Sequence, residues 1–255
     1  MDYTITAVDR SLRVLETLAE HPGISITDIA ALTGNTRSLV FRIVFTLEQR
    51  GYVIKDPLQR TYTVGYRPLY LAAHAQDQLQ VLRLAAPYLE ELSTKCEDNI
   101  NLLVRDGTNS LCIYARRASD QLHARVGRHA PLHAGGAPKI LLAFAPEEVR
   151  QAVSNGPFAS FTTKTITDAR ALEPVLEAIR QSGMNESHGE IDLDAFSFAG
   201  AIFGSNGDVV AALSIAGPEL HLKNRTADFY RRLVGDTCRQ ISEAMGWRPK
   251  LQALV

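Results

Sequence analysis

Six basic side chains fall between Thr36 and Arg67 (Arg37, Arg42, Arg50, Lys55, Arg60 and Arg67), against two acidic ones, Glu48 and Asp56. Guanidinium and ammonium groups gathered in this way supply what phosphate binding needs, and arginine adds a planar fork that matches guanine or phosphate with two hydrogen bonds. Their spacing decides where they can act. Leu39, Val40, Ile43, Val44 and Leu47 recur at helical spacing, which leaves Arg37, Ser38, Phe41 and Arg42 off that stripe. A helix divided in this way packs one side on its domain and offers its N-terminal side chains to base edges in a major groove.

The flanking residues predict the elements that hold this helix. Ser25 followed by Asp28 has capping-box spacing, and Ile26, Ile29, Ala30 and Leu32 give the helix it opens an apolar face. Gly34 suits a tight left-handed turn, with Asn35 expected to cap the next helix and Thr36, Arg37 and Ser38 in its first turn. Gly51 stops that helix. Tyr52-Val53-Ile54 and Thr61-Tyr62-Thr63-Val64 read as strands joined by Lys55 to Arg60, a hairpin wing that is basic near its tip. Upstream, residues 1–7 read as a tail and Val8 to Ala19 as a helix with Val8, Leu12, Leu15 and Leu18/Ala19 on one face. Arg10, near its start, can touch a phosphate or simply be solvated. Residues 24–67 thus predict a winged helix-turn-helix.

At 255 residues the chain suggests two domains, on a prior of roughly 150 residues each. Pro68 to about Cys96 reads as helical in two parts, with Pro87 expected to kink or restart the helix. Its apolar stripe is too wide for a lone rod in solvent and predicts packing on a partner helix or on the second domain. From Asn99 the pattern turns to strands: 99–105 and 110–117 around Asp106-Gly107-Thr108-Asn109, then a third over 121–127. Helices are expected at 137–144 and 146–154, an irregular stretch at 155–167, and an amphipathic helix at 169–182 with Leu172, Val175, Leu176 and Ile179 inward. Two apolar strands, 196–203 and 208–216, precede a final helix over about 224–245. Helices mixed with hairpins, without regular strand-helix alternation, predict an α+β fold: a three-to-six-stranded antiparallel sheet with helices on it, of the GAF or profilin-like kind.

Composition narrows the classes. Hydrophobic content of 45% and charged content of 22% are ordinary for folded soluble domains. No apolar run approaches bilayer length and the N-terminus lacks a secretory pattern, so no membrane segment and a cytoplasmic location are expected. Three cysteines, Cys96, Cys112 and Cys238, form neither a disulfide framework nor a zinc motif. A net charge of −1 lends DNA binding no support by itself, so few phosphate contacts per subunit are expected and dimerisation would help. His123, His129 and His133, near Arg125 and Arg128, match no standard metal spacing and read better as solvated or pocket-wall side chains. Ser187, His188, Glu190 and Asp192 lack a nucleophile elbow, and Gly204-Ser205-Asn206-Gly207 lacks a phosphate-loop lysine. No catalytic residue, metal or cofactor is implied, and the enzyme reading is poor. A protein-interaction winged helix is the other rival; it would not need Arg37, Arg42, Lys55 and Arg60 together on one face.

Three stretches carry a resemblance: VDRSLRVLETLAEHPGISITDIAALTGNTRSLVFRIVFTLEQRGYVIKDPLQRTYTVGYR, APLHAGGAPKILLAF and FAGAIFGSNGDVVAALSIAGP. In this order they resemble the IclR family of bacterial transcriptional regulators over nearly the whole chain. The resemblance implies a DNA-binding domain over residues 1–67, a linker helix over 68–83 and an effector-binding and oligomerisation domain over 84–255. It implies homodimers, often paired into tetramers, that read a palindromic double-stranded operator under control of a small organic effector, a carboxylate or aromatic acid. Thr36, Arg37, Ser38, Phe41 and Arg42 sit where the family's recognition helix faces the groove, with Asn35-Thr36-Arg37-Ser38 in place of the usual Leu-Pro-Lys-Ser. Arg10, Lys55 and Arg60 are implied as phosphate contacts that set affinity.

The family's effector pocket resembles the region around His133-Ala134-Gly135-Gly136-Ala137, a loop running into a helix start where the amides of Gly136 and Ala137 can hold a carboxylate. Pro138 stands where the family has glycine and removes one donor. Ser197, Ser214 and Glu190 match pocket positions, and Asp194 replaces a family glycine between Glu190 and Ser197. The competing readings are a Ser214 that bonds only to backbone and a Glu190 that is a solvated loop carboxylate.

Overall fold

In the computed structural model, which describes residues 3–116, 125–223 and 225–248, the Ser25 hydroxyl accepts from the Asp28 amide and the Asp28 carboxylate accepts from the Ser25 amide. This capping box starts helix α2 (Ile26–Thr33), and Gly34 ends it at φ 68°. The cap of α3 (Arg37–Gln49) is one residue later than the sequence suggests: Thr36 accepts from the Leu39 amide. Asn35 belongs to the turn instead, its backbone amide donating to the Ala30 carbonyl at 3.1 Å and its side-chain amide to the Thr33 carbonyl at 3.5 Å.

Helix α1 (Thr6–Glu20) begins inside the expected tail. Its Val14 and Leu18 enter a core with Ile29, Val40, Ile43, Val44, Val53 and Tyr62. Val8 and Leu12 do not join them; with Ile5 they form a second, exposed stripe at i, i+3, i+7 spacing. Strands β1 (Val53–Asp56) and β2 (Thr61–Val64) pair antiparallel as the wing. Lys55 therefore lies in a strand, and Arg60, at φ 56°, closes the turn. Helix α4 (Arg67–Gln78) buries none of its residues and leaves Leu69, Tyr70 and Leu71 exposed.

The chain divides into two compact units between Gln78 and Leu79. The second opens with α5 (Gln80–Lys95), which follows the extended residue Leu79 and runs through Pro87. The interruption expected at Pro87 thus falls at Leu79: Val81, Ala85, Leu89 and Leu92 pack against the sheet on both sides of the proline, and that burial outweighs one missing backbone donor. Strands β3 (Asn99–Asp106), β4 (Asn109–Arg116) and β5 (His129–Pro131) precede helices α6 (Gly136–Ala143), α7 (Glu147–Ser154) and α8 (Ala169–Ser182). Strands β6 (Met184–His188), β7 (Ala195–Phe203) and β8 (Val209–Pro218), a 3-10 turn (Glu219–Lys223) and α9 (Ala227–Ala244) complete it.

The six-stranded sheet has the order β5-β4-β3-β8-β7-β6, antiparallel throughout. The strand expected over 121–127 differs. Residues 121–124 lie outside the described residues, Arg125 to Gly127 form a turn, and the pairing with β4 is made by β5. Strand β6, Met-Asn-Glu-Ser-His, has no apolar alternation, so only its pairing with β7 reveals it.

The two sheet faces differ in chemistry. One presents Ile100, Leu102, Phe196, Phe198, Leu213 and Ile215 to α5 and α9. The other packs Leu103, Ala199, Ala201 and Ala212 under α6 and α8. Toward its far end that face turns polar, because the register aligns Asn101 with Ser214 and Asn99 with Ala216, Ser197 and Ser187. Among the described residues no helix is long and apolar enough to cross a membrane.

Candidate functional site

A cavity of 640 Å³ opens over this polar end of the sheet. Asn101, Ser197 and Ser214 rise into it from the strands, Gly136, Ala137 and Pro138 enter from the start of α6, and Phe161, Ile191 and Leu193 add apolar wall. Helix α6 follows Gly135, at φ 89°, which has no side chain to cap it; the Gly135 amide donates instead to the Glu190 carboxylate at 3.3 Å. Gly136 is closely fitted: a Cβ there would collide with Ser197 Oγ and lie 3.0 Å from Ser197 Cβ and 3.2 Å from Ala199 Cβ, so a larger residue would have to displace Ser197. Asn101 is buried, and its Oδ1 has no hydrogen-bond partner. A buried carbonyl oxygen left unpaired costs about 1–3 kcal/mol, which marks it as a place for a ligand or water donor.

Glu190 lines the same cavity, and its carboxylate is already engaged. It forms an ion pair with Lys139, their side chains 8% and 2% exposed, and accepts from Ser187 Oγ at 2.9 Å and the Gly135 amide at 3.3 Å. Thr165 Oγ1 donates to the Glu190 carbonyl at 2.7 Å. The solvated-loop reading of Glu190 is therefore excluded: this carboxylate ties the loop after β6 to the loop before α6. Lys139 was not among the residues singled out from the sequence, although a lysine inside GAPKILLAF is an unusual charge on an apolar helix.

His133 and Asp194 are not in the cavity lining. His133 is buried behind it, its Nε2 2.9 Å from the Ala159 carbonyl oxygen and its ring edge-on to Phe158. The Asp194 carbonyl accepts from the Glu219 amide at 2.7 Å. His129 lines the cavity and meets Asp106 at 2.8 Å, so it and His133 do not act together; His123 lies outside the described residues. His188 faces Glu219 at 2.7 Å while Ser187 donates to Glu190, so no serine-histidine pair forms. Among the described residues no group of three or more potential ligands could hold a metal ion. All three cysteines are free and buried, and loss of solvation pushes the Cys96 and Cys112 thiols up to about 11 and Cys238 to about 12.

In the first unit, Arg37, Ser38, Phe41 and Arg42 are exposed on α3, as are Thr36 at its cap, Arg10 on α1, Lys55 on β1 and Arg60 in the wing turn. Phe45, one helical turn beyond Phe41, is exposed as well and was not anticipated; the two rings stack 6.4 Å apart.

The sequence and fold have relatives. The chain is 27% identical over 243 residues to the HTH-type transcriptional regulator KipR of Bacillus subtilis, covering 94% of this chain and 97% of that one. In structure it is similar to an IclR transcriptional regulator from Alicyclobacillus acidocaldarius (TM-score 0.84, 23% identity, 96% of this chain and 100% of that one). A further neighbour is an IclR homologue from Microbacterium hydrocarbonoxydans complexed with 4-hydroxybenzoate (TM-score 0.82, 24% identity, 94% and 98% covered). The IclR helix-turn-helix domain matches residues 7–57, and the bacterial transcriptional regulator IclR C-terminal domain matches residues 73–243. With both domains present in order on a winged helix and an α+β sensor fold, the chain belongs to the IclR family of DNA-binding transcriptional regulators.

Proposed function

We propose that this regulator reads a palindromic operator as a homodimer or a dimer of dimers, and that a small organic acid in the second unit's cavity alters that binding. The observation that carries the ligand half is the cavity itself: the start of α6, suited to a carboxylate, and the unpartnered Asn101 oxygen, an acceptor for a donor group elsewhere on the ligand, converge in a space whose walls are otherwise mostly apolar. Its 640 Å³ lies within the range of small-molecule sites, about 300–1,000 Å³. The acid's carboxylate would take the amides of Gly136 and Ala137 and the hydroxyls of Ser197 and Ser214, with its body against Phe161, Ile191 and Leu193. Glu190, paired with Lys139, frames the site, while His133 supports it from behind and Asp194, exposed on the loop beside it, drops out of the proposed contacts. The aromatic acid bound by the Microbacterium neighbour agrees in kind with such a cavity.

The DNA half rests on Thr36, Arg37, Ser38, Phe41 and Arg42 at the groove and on Arg10, Lys55 and Arg60 at phosphates. Dimerisation is supported by the exposed apolar stripe of Ile5, at the cap of α1, with Val8 and Leu12 on that helix, and by the exposed apolar residues of α4, which has no buried residue; a two-fold partner would cover these surfaces. Such a DNA target implies a cytoplasmic location. Fluorescence anisotropy on duplex fragments should show salt-sensitive, sequence-preferring binding. A thermal-shift screen of organic acids, beginning with 4-hydroxybenzoate, should find one that stabilises the protein, by about 2.7 kcal/mol at a hundred times its dissociation constant. Binding indifferent to sequence, or an acid panel without effect, would refute the corresponding half.

A further inference from the structure

Phe41 and Phe45 are 55% and 52% exposed. They lie one turn apart on α3, and their rings stack at 6.4 Å with planes 25° apart, forming a continuous apolar strip. Arg37 precedes Phe41 by one turn and Arg42 lies between the two rings in sequence, both exposed on the same helix. A strip meant for a protein core or a second apolar surface would be depleted of charge; this one is bordered by guanidinium groups suited to phosphate and guanine. The edges of a major groove offer one apolar group, the C5-methyl of thymine.

We infer that Phe41 and Phe45 form a reader of thymine methyl groups, so that each operator half-site carries thymine where these rings dock, beside the bases or phosphates met by Arg37 and Arg42. The inference rests on the DNA-binding role of α3 and adds which base chemistry the helix selects. Phe41 stands closer to the N-terminal end that enters the groove, and Phe45 extends the apolar contact by one turn.

The test begins with sites enriched by the full-length protein from a random duplex library. Each thymine in an enriched site is then replaced by deoxyuridine, which deletes only the methyl. At the docking position the exchange should weaken wild-type binding about fourfold per half-site, the equivalent of one buried methyl group, and about fifteenfold when both half-sites are changed. The Phe41→Ala and Phe45→Ala proteins should bind thymine and deoxyuridine duplexes alike at the position each ring covers. Enriched sites whose affinity ignores the exchange at every position would overturn this inference alone. So would variants that keep the wild-type methyl sensitivity, including any that change only the sedimentation of the free protein. A library from which nothing is enriched would overturn the operator reading as well.

Discussion

At the scale of single residues, the Lys139–Glu190 pair is the feature with the largest expected energetic weight. Both groups are removed from water and hold each other together with Ser187 and the Gly135 amide. Loss of one partner strands the other's charge, so Lys139→Met should lower the stability of the second unit by about 3–5 kcal/mol in urea denaturation. The double change Lys139→Met with Glu190→Leu should recover much of that loss. A single-variant cost below about 1 kcal/mol would mean that the pair is hydrated in solution.

Arg37→Ala should cost about 1–3 kcal/mol on the preferred site if the guanidinium reads a guanine, and nearly the same on all sequences if it meets phosphate. The cysteines give a pH prediction. Their folded pKa values, about 11, 11 and 12, stand above the ordinary 9.0, so the native protein keeps protons that the unfolded chain releases. Their contribution to stability is complete below pH 9 and is lost as pH rises through the folded values. Ellman's reagent at pH 8 should therefore leave the native thiols untouched and titrate all three after denaturation.

At the scale of elements, the start of α6 is a tight fit between a helix and a sheet. Gly136→Ala would drive a methyl into Ser197. It should destabilise the protein by about 1–3 kcal/mol and abolish the thermal shift produced by an effector acid. Combining it with Ser197→Ala, which removes the nearest atom, should restore part of the stability. A Gly136→Ala protein with wild-type stability and ligand response would show that the helix start is looser than this packing requires. Helix α3 depends on a more local device, the Thr36 hydroxyl on the Leu39 amide. Thr36→Ala should remove about 1 kcal/mol from the first unit, measurable by its denaturation midpoint.

At the scale of the molecule, the division between Gln78 and Leu79 leaves each unit with its own core. Residues 79–248 produced alone should unfold cooperatively and keep the acid response, whereas DNA binding should be lost. If that fragment fails to fold, the core assembled on α5, α9 and the sheet needs the first unit after all.

The winged helix was legible because its signals are local: Ser25 and Asp28 three residues apart, a left-handed glycine at Gly34, and short strands flanking a turn. The α+β class of the second unit followed likewise from its hairpins and amphipathic helices, and the family resemblance directed attention to Gly136, Ala137, Ser197 and Ser214. What local pattern could not contain was long-range pairing. Lys139 and Glu190 are 51 positions apart; Asn101 meets Ser214 only through the β3–β8 register; and β6 is a strand because β7 accepts it, not because its residues alternate.

Tertiary packing likewise carried α5 through Pro87 and turned Val8 and Leu12 of α1 outward. The sequence by itself therefore determined most of the local elements and the helix-turn-helix, since caps, turns and periodicity act within a few residues. Only the tertiary structure decided which distant polar groups share one cavity and which of them are already paired there, because burial and strand register are properties of the assembled chain.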